Sequence, residues 1–241
     1  MPLFKKIFHG NTLYYPGCLT KFVAKDLAEN YRQILRKIGV DFIELPDLEV
    51  CCGSPALAAG YPEDFKKLAE KNLKVFKEHS VAKIITNCPA CFKIFNVDYP
   101  SVLDKIWDIE AEYIIQTIAR AIKEGKLKIA KSDFKKITTY HDPCHLGRLM
   151  NVYDEPREVL KEMGLEIKEM DRSKSYALCC GAGGGVKSNY PELADEIATE
   201  RLNLAKEIKA ECLVTGCPMC YLQLKESSDE IEVREIGELI K

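Results

Sequence analysis

The chain has 241 residues, 46% of them apolar, and a net charge of −2 from 35 basic and 37 acidic side chains. That length holds one large domain or two ordinary ones, with enough apolar material for a core that needs no disulfides. The charge balance gives no reason to expect nucleic acid or an anionic membrane as partner, and no run approaches the ~18–20 apolar residues of a membrane span.

The first ten residues carry Lys5 and Lys6 but no apolar stretch after them, so no secretory signal is expected and the expected compartment is the cytoplasm. Leu13–Pro16 reads as a short strand that runs into Cys18. Residues 22–38 place Phe22, Leu27, Tyr31, Ile34, Leu35 and Ile38 at helical spacing and stop at Gly39. A strand over Val40–Leu45 ends at Pro46, and Cys51, Cys52 and Gly53 follow. Pro62–Glu78 opens with Pro-Glu-Asp, the residue types of a first helical turn. Ala82–Thr86 reads as a buried strand leading to Cys88 and Cys91, and a strand-then-helix stretch closes the half at Ile106–Ile118.

After a charged stretch over Lys123–Lys136, read as a linker, the same order returns. Ile137–His141 is a strand before Cys144; Glu155–Met163 is a helix and Leu165–Glu169 a strand; Cys179, Cys180 and Gly181 come next. Pro191–Lys209 is a helix, Glu211–Thr215 a strand before Cys217 and Cys220, and Glu232–Ile240 the closing stretch. Residues 84–91, I-I-T-N-C-P-A-C, align with residues 213–220, L-V-T-G-C-P-M-C, and both Tyr61-Pro62 and Tyr190-Pro191 follow a Cys-Cys-Gly. One unit is written twice, over residues 11–122 and 137–241. Strands alternating with helices predict an α/β fold in which each unit is a mainly parallel sheet flanked by helices. Ligands gather outside the carboxyl ends of such strands, and there the cysteines would converge.

Ten of the eleven cysteines obey this repeat. Thiolates in a reducing compartment select soft metals, zinc or iron–sulfur clusters, over disulfides. Zinc closes with four ligands, and each half offers five sulfurs. Two adjacent cysteines on extended backbone point opposite ways, which suits a target wider than one ion. Glycine after each pair permits a sharp bend, and the amides of C-P-x-C can point at sulfur.

Residues 18–91 and 144–220 resemble two copies of the cysteine-rich CCG domain. That domain occurs in the B and D subunits of heterodisulfide reductase and in iron–sulfur subunits of glycolate, lactate, glycerol-3-phosphate and thiol-dependent fumarate/succinate redox complexes. The resemblance implies that Cys18, Cys51, Cys52, Cys88 and Cys91 hold one noncubane [4Fe-4S] cluster. Cys144, Cys179, Cys180, Cys217 and Cys220 would hold another. It implies two-electron thiol–disulfide chemistry, a small thiol or disulfide substrate, and a redox partner that is a ferredoxin-like iron–sulfur protein or a flavoprotein. C-C-G-x-P and Y-H-D-P-C-H look more like the D-type and hydroxy-acid-oxidase branch. The ferredoxin-like segment of many such subunits is not in this sequence, so electrons are expected from a separate polypeptide. Two other readings stay open: a non-catalytic electron-transfer subunit of a flavin-dependent hydroxy-acid or fumarate/succinate enzyme, and structural zinc in one or both halves.

Three further features stand out. The run Gly181-Ala182-Gly183-Gly184-Gly185 fails the dinucleotide spacing, because Val186 stands where the third glycine belongs; it reads as backbone packing at the metal site. Cys212, outside the repeat, reads as a buried inert thiol. His141 and His145 flank Cys144 where the first half has Tyr15 and Leu19. His145 is the candidate catalytic proton donor, with packing or hydrogen bonding as the alternative role, and the asymmetry makes the second half the expected reacting one.

Overall fold

The computed structural model describes residues 10–131 and 136–240. Its strands are β1 (Asn11–Tyr14), β2 (Val81–Thr86), β3 (Glu110–Tyr113), β4 (Thr138–His141), β5 (Cys212–Thr215) and β6 (Glu232–Glu235). They build two three-stranded sheets, ordered β1-β2-β3 and β4-β5-β6, with every pairing parallel. Buried on both faces, β4 and β5 read as continuous apolar or hydroxyl runs, as parallel strands under helices do.

The strand expected over Val40–Leu45 reduces to a single bridge at Ile43, whose N–H reaches Thr12 O at 2.8 Å and whose carbonyl accepts from Tyr14 at 2.9 Å. Pro46 has no N–H to extend the ladder. Ile167 pairs with Thr138 in the same way in the second half. Counting that bridge, spatial order in each half is second, first, third, fourth along the chain. The order reverses between β1 and β2, and again between β4 and β5, where open sheets bind ligands.

The helix expected over 22–38 is divided. Cys18–Phe22 forms one turn, Ala24 leaves the helical region at φ −102°, ψ 57°, and Lys25–Lys37 continues at its own angle. A helix not expected from the sequence follows each C-P-x-C, at Pro89–Lys93 and Pro218–Glu226, each with its first cysteine at the N-cap. Pro62–Glu78 buries Phe65, Ala69, Leu73 and Phe76 along one face, whereas its counterpart Pro191–Glu207 buries Ala194, Ala198, Leu202 and Ala205. The residues from 132 to 135 of the expected linker, and Lys241, lie outside the described residues.

The two halves share a core. Tyr31, Tyr113 and Ile114 belong to the same buried cluster as Tyr140, Leu146, Val159, Leu160 and Ile236. Tyr113, at the end of β3, donates its hydroxyl to the carbonyl of Gly216, the residue before Cys217. Tyr31 donates to both carboxylate oxygens of Glu235, at 2.7 and 2.9 Å, where β6 ends. A Cβ at Gly237 would stand 2.7 Å from the Tyr31 ring, so only glycine lets the helix Ile236–Leu239 sit this close.

Burial pushes the Glu235 carboxyl up to about 8, although Tyr31 and the Gly237 amide oppose the shift. Between its ordinary value and about 8 the folded chain therefore binds more protons than the unfolded one, and stability falls as pH rises through that window. Replacing Glu235 with Gln, which mimics the protonated acid, is expected to remove a slope of up to about 1.4 kcal/mol per pH unit. Urea midpoints of parent and variant between about pH 5 and about pH 8 measure it, and equal slopes would refute the assignment.

Candidate metal centres

Each half folds its five cysteines into one nest. Cys18 leaves β1 on the first helical turn, Cys51 and Cys52 follow the Ile43 bridge, and Cys88 and Cys91 follow β2. Their thiols make one chain of contacts. Cys18 meets Cys51, Cys51 meets Cys52, Cys52 meets Cys91 at 3.4 Å, and Cys91 meets Cys88. In the second half Cys144 meets Cys179, then Cys180, Cys220 and Cys217 in the same order. Residues far apart in the chain meet because their strands end together.

Cys51 and Cys52 do not point apart, contrary to expectation. Neither lies in a strand, and the left-handed Gly53 (φ 90°) bends the chain directly after them, so the alternation of extended backbone does not apply. Gly17 allows a comparable approach in the first half: a Cβ there would lie 3.1 Å from Cys88 Cβ and 3.3 Å from Cys91 Sγ, and its φ is +78°. The glycine run of the second half divides in role. Gly181 (φ +89°) lies hard against the carbonyl oxygen of Ala194, while Gly183 and Gly184 face open space and Gly185 starts a short helix.

The thiols are not equivalent. Cys51 and Cys179 are pushed down to about 2, first by hydrogen bonds from Cys18 and Cys144, then from Cys52 and Cys180. The Gly53 and Gly181 amides also donate to them, both at 3.4 Å. Cys18 and Cys144 are raised by the same contacts. Contact with Cys91 lowers Cys88 most, and the Ala90 and Cys91 amides at the start of Pro89–Lys93 add to it. Helix N-termini of this kind favour thiolate. Each nest thus favours thiolate at some of its sulfurs and lies mostly out of water, with Cys18 exposed and Cys51, Cys88, Cys144 and Cys179 half-buried.

The residues fit a sulfide-bearing cluster better than a lone ion. Four sulfurs would satisfy zinc and leave the fifth without a role. A ring nitrogen of His141 lies within 4.8 Å of the Cys180 and Cys220 sulfurs, and His141 Nε2 and Nη2 of its neighbour Arg201 are buried with no partner among the described residues. Acceptor sulfur would satisfy both.

Of the flanking histidines, His145 is half-buried with Nδ1 3.5 Å from Cys144 Sγ, and burial lowers its pKa. His141 is fully buried at the end of β4. Asp142 between them is an anchor: Arg157 holds it through two nitrogens, at 2.7 and 3.0 Å, and the Lys174 amide donates to it at 2.8 Å. Two residues escaped the sequence reading. Asn72 bonds Val50 N–H and Cys51 carbonyl, at 3.1 and 3.2 Å, and so fixes the backbone of the first pair. Arg201 occupies the matching helix position, eleven residues after Tyr190 as Asn72 is after Tyr61. A polar side chain interrupting the apolar face of each long helix was the available signal. Cys212 is fully buried in β5, and burial raises it to about 12.

The family described as the cysteine-rich domain, CCG, matches residues 12–96 and again residues 138–225. The D subunit of the dihydromethanophenazine:CoB--CoM heterodisulfide reductase of Methanosarcina acetivorans is 37% identical over 238 residues, which cover 95% of this chain and 58% of that protein. The B subunit of the CoM/CoB fumarate reductase of Methanothermobacter marburgensis is 32% identical over 239 residues, covering 94% of this chain and 45% of its own length. The chain therefore spans about half the length of these relatives. A crystal structure of a hypothetical protein from Helicobacter pylori shares the fold, with a TM-score of 0.68 at 12% identity, over 95% of this chain and 47% of that one.

Gly181→Ala tests how the second nest is built. The left-handed backbone alone is expected to cost about 1–2 kcal/mol, and the collision with Ala194 more. Gly183→Ala, in open space, is expected to stay within about 0.5 kcal/mol of the parent. Urea midpoints that rank the two variants equally would contradict the close approach.

Proposed function

The chain belongs to the cysteine-rich CCG-domain family, and from that membership we propose that it is an iron–sulfur oxidoreductase subunit acting on disulfides or thiols. The observation that carries the reading is the contact of all five thiols in each half, at the carboxyl ends of parallel strands. Cys18, Cys51, Cys52, Cys88 and Cys91 would hold one noncubane [4Fe-4S] cluster, and Cys144, Cys179, Cys180, Cys217 and Cys220 the other. When bound, such clusters supply one electron each. A disulfide accepts two electrons and two protons to become two thiols, so the reaction balances with a separate iron–sulfur protein or flavoprotein as the electron source.

This chain's own groups supply the rest. Cys18 is the exposed edge of the first nest, and Cys144 and Cys179 are the half-buried members of the second, where a small disulfide would approach. His145, with its ring nitrogen against Cys144, is the group positioned to hand a proton to a departing thiolate. Asp142, clamped by Arg157 and Lys174, keeps the preceding turn still. No helix among the described residues is long and apolar enough to cross a membrane. A second reading, an electron relay without its own substrate, draws on the 32% identity to a fumarate reductase component.

Anaerobic purification followed by iron, sulfide and zinc counts tests the cofactor. Iron with acid-labile sulfide is expected, and zinc without sulfide would end the reading. An EPR spectrum that changes on adding thiol is expected if the chain is disulfide-active; one that stays fixed favours the relay. Separately, His145→Ala is expected to lower disulfide turnover by roughly 10²-fold to 10⁴-fold with iron content retained. Unchanged turnover would remove the histidine from the reaction.

A further inference from the structure

The two nests differ in one buried pair. Three residues before Cys18 stands Tyr15, whose hydroxyl donates to the Val50 carbonyl at 2.7 Å. Three residues before Cys144 stands His141. A ring nitrogen of His141 and the sulfurs of Cys180 and Cys220 all lie within 4.8 Å of one another, so the trio has the composition of a metal site. Arg201 donates from Nε to His141 Nδ1 at 3.1 Å and from Nη1 to the Arg172 carbonyl at 3.0 Å. Both residues are essentially without solvent exposure, and His141 Nε2 and Arg201 Nη2 have no partner among the described residues.

The arginine decides what the histidine can do. Guanidinium has donors only and stays charged, so Nδ1 must receive and cannot carry a proton. The neutral ring then bears its proton on Nε2. A metal-bound histidine has the opposite arrangement, with its second nitrogen donating to a carboxylate, carbonyl or water. Two donors facing each other would leave a buried polar clash.

We propose that His141, locked by Arg201, is not a ligand: its Nε2–H donates a hydrogen bond to sulfur of the second nest and makes that centre the easier one to reduce. An added electron spreads onto sulfur, and a donor with a buried cation behind it favours the more negative state. The corresponding positions of the first nest offer no such donor, since Tyr15 and the uncharged Asn72 direct their hydrogen bonds to backbone and Tyr99. Electrons entering the pair would therefore settle in the second nest, where His145 lies. The redox consequence rests on the cluster reading above; the donor assignment does not.

The test uses the full-length protein and four variants. In a redox titration followed by EPR, His141→Phe and Arg201→Met are each expected to lower the midpoint of one centre only. The expected size is about tenfold in the one-electron exchange between centres, ~59 mV for a one-electron couple. His141→Gln, which keeps an N–H donor, is expected to restore most of it, and Tyr15→Phe to move neither midpoint. Pulsed EPR on protein labelled with ¹⁵N-histidine should find weak nitrogen coupling and an exchangeable proton that disappears in D₂O. Strong nitrogen coupling would make His141 a ligand and overturn the proposal, as would midpoints that stay put or move together in His141→Phe. If the metal counts find zinc and no sulfide, the cluster reading has failed on its own. The diamagnetic protein then reports the tautomer by ¹⁵N–¹H NMR, with a proton on Nε2 supporting the donor role and a metal there ending it.

Discussion

Five thiols linked in a chain of contacts, most of them partly or fully out of water, cannot all ionise without a cation among them. Each further charge would meet desolvation and the repulsion of its neighbours. The chain settles only part of this by itself. Contacts along the chain favour thiolate most at Cys51 and at Cys179, where two thiols and one glycine amide donate. On the proposed reading the remaining sulfurs would become ligands as metal displaces their protons, which would link site formation to metal binding. The fold carries the cost of assembling the nests: parallel strands end together, glycines bend where a side chain would collide, and helix N-termini begin at Cys88 and Cys217.

The sequence disclosed most of this frame, because the features that make it are local or periodic. Strand readings before Cys18, Cys88, Cys144 and Cys217 rest on short apolar runs, and the long helices announce themselves with Tyr-Pro followed by acidic residues. The duplicated spacing then names the residues that meet. What stayed hidden depends on tertiary context. Ala24 breaks a periodic helix without proline or glycine, and Val40–Leu45 looks like a full strand but pairs at one residue. Arg201 is a charged residue in a helix where charge ordinarily means solvent, yet it is buried beside Ala198, Leu202 and Ala205 with its donors turned to His141 and the Arg172 carbonyl.

The two long helices bury different side chains, and the halves are not equivalent. In the first half Phe65 and Phe76 face inward, and Phe76 joins the aromatic cluster around Phe95 and Trp107. Asn72 from that helix reaches backbone and the Tyr99 hydroxyl, not sulfur. In the second half Gly181 lies against Ala194, and Arg201 meets His141 at the strand end. The same helix position thus carries a different polar group beside each nest. Duplication supplied two sulfur nests, and divergence of their supporting helices gave each its own electrostatics.

The halves are joined where those electrostatics matter. Tyr113, the last residue of β3 in the first half, donates to the carbonyl immediately before Cys217 in the second. Gly216 can accept this approach because a Cβ there would crowd both Tyr113 and Tyr140, whose oxygens would stand 3.0 and 3.1 Å from it. The matching residue Asn87, before Cys88, is held within its own half by the Tyr14 hydroxyl and by Thr20, both at 3.0 Å. The helix that carries Cys18 meets Pro218–Glu226 of the second half, and Leu27 packs among Cys180, Cys217 and Cys220, so both nests lie along the seam between the halves. The Tyr113 hydrogen bond across that seam falls on the turn of the second nest, which is also the one with histidines beside it.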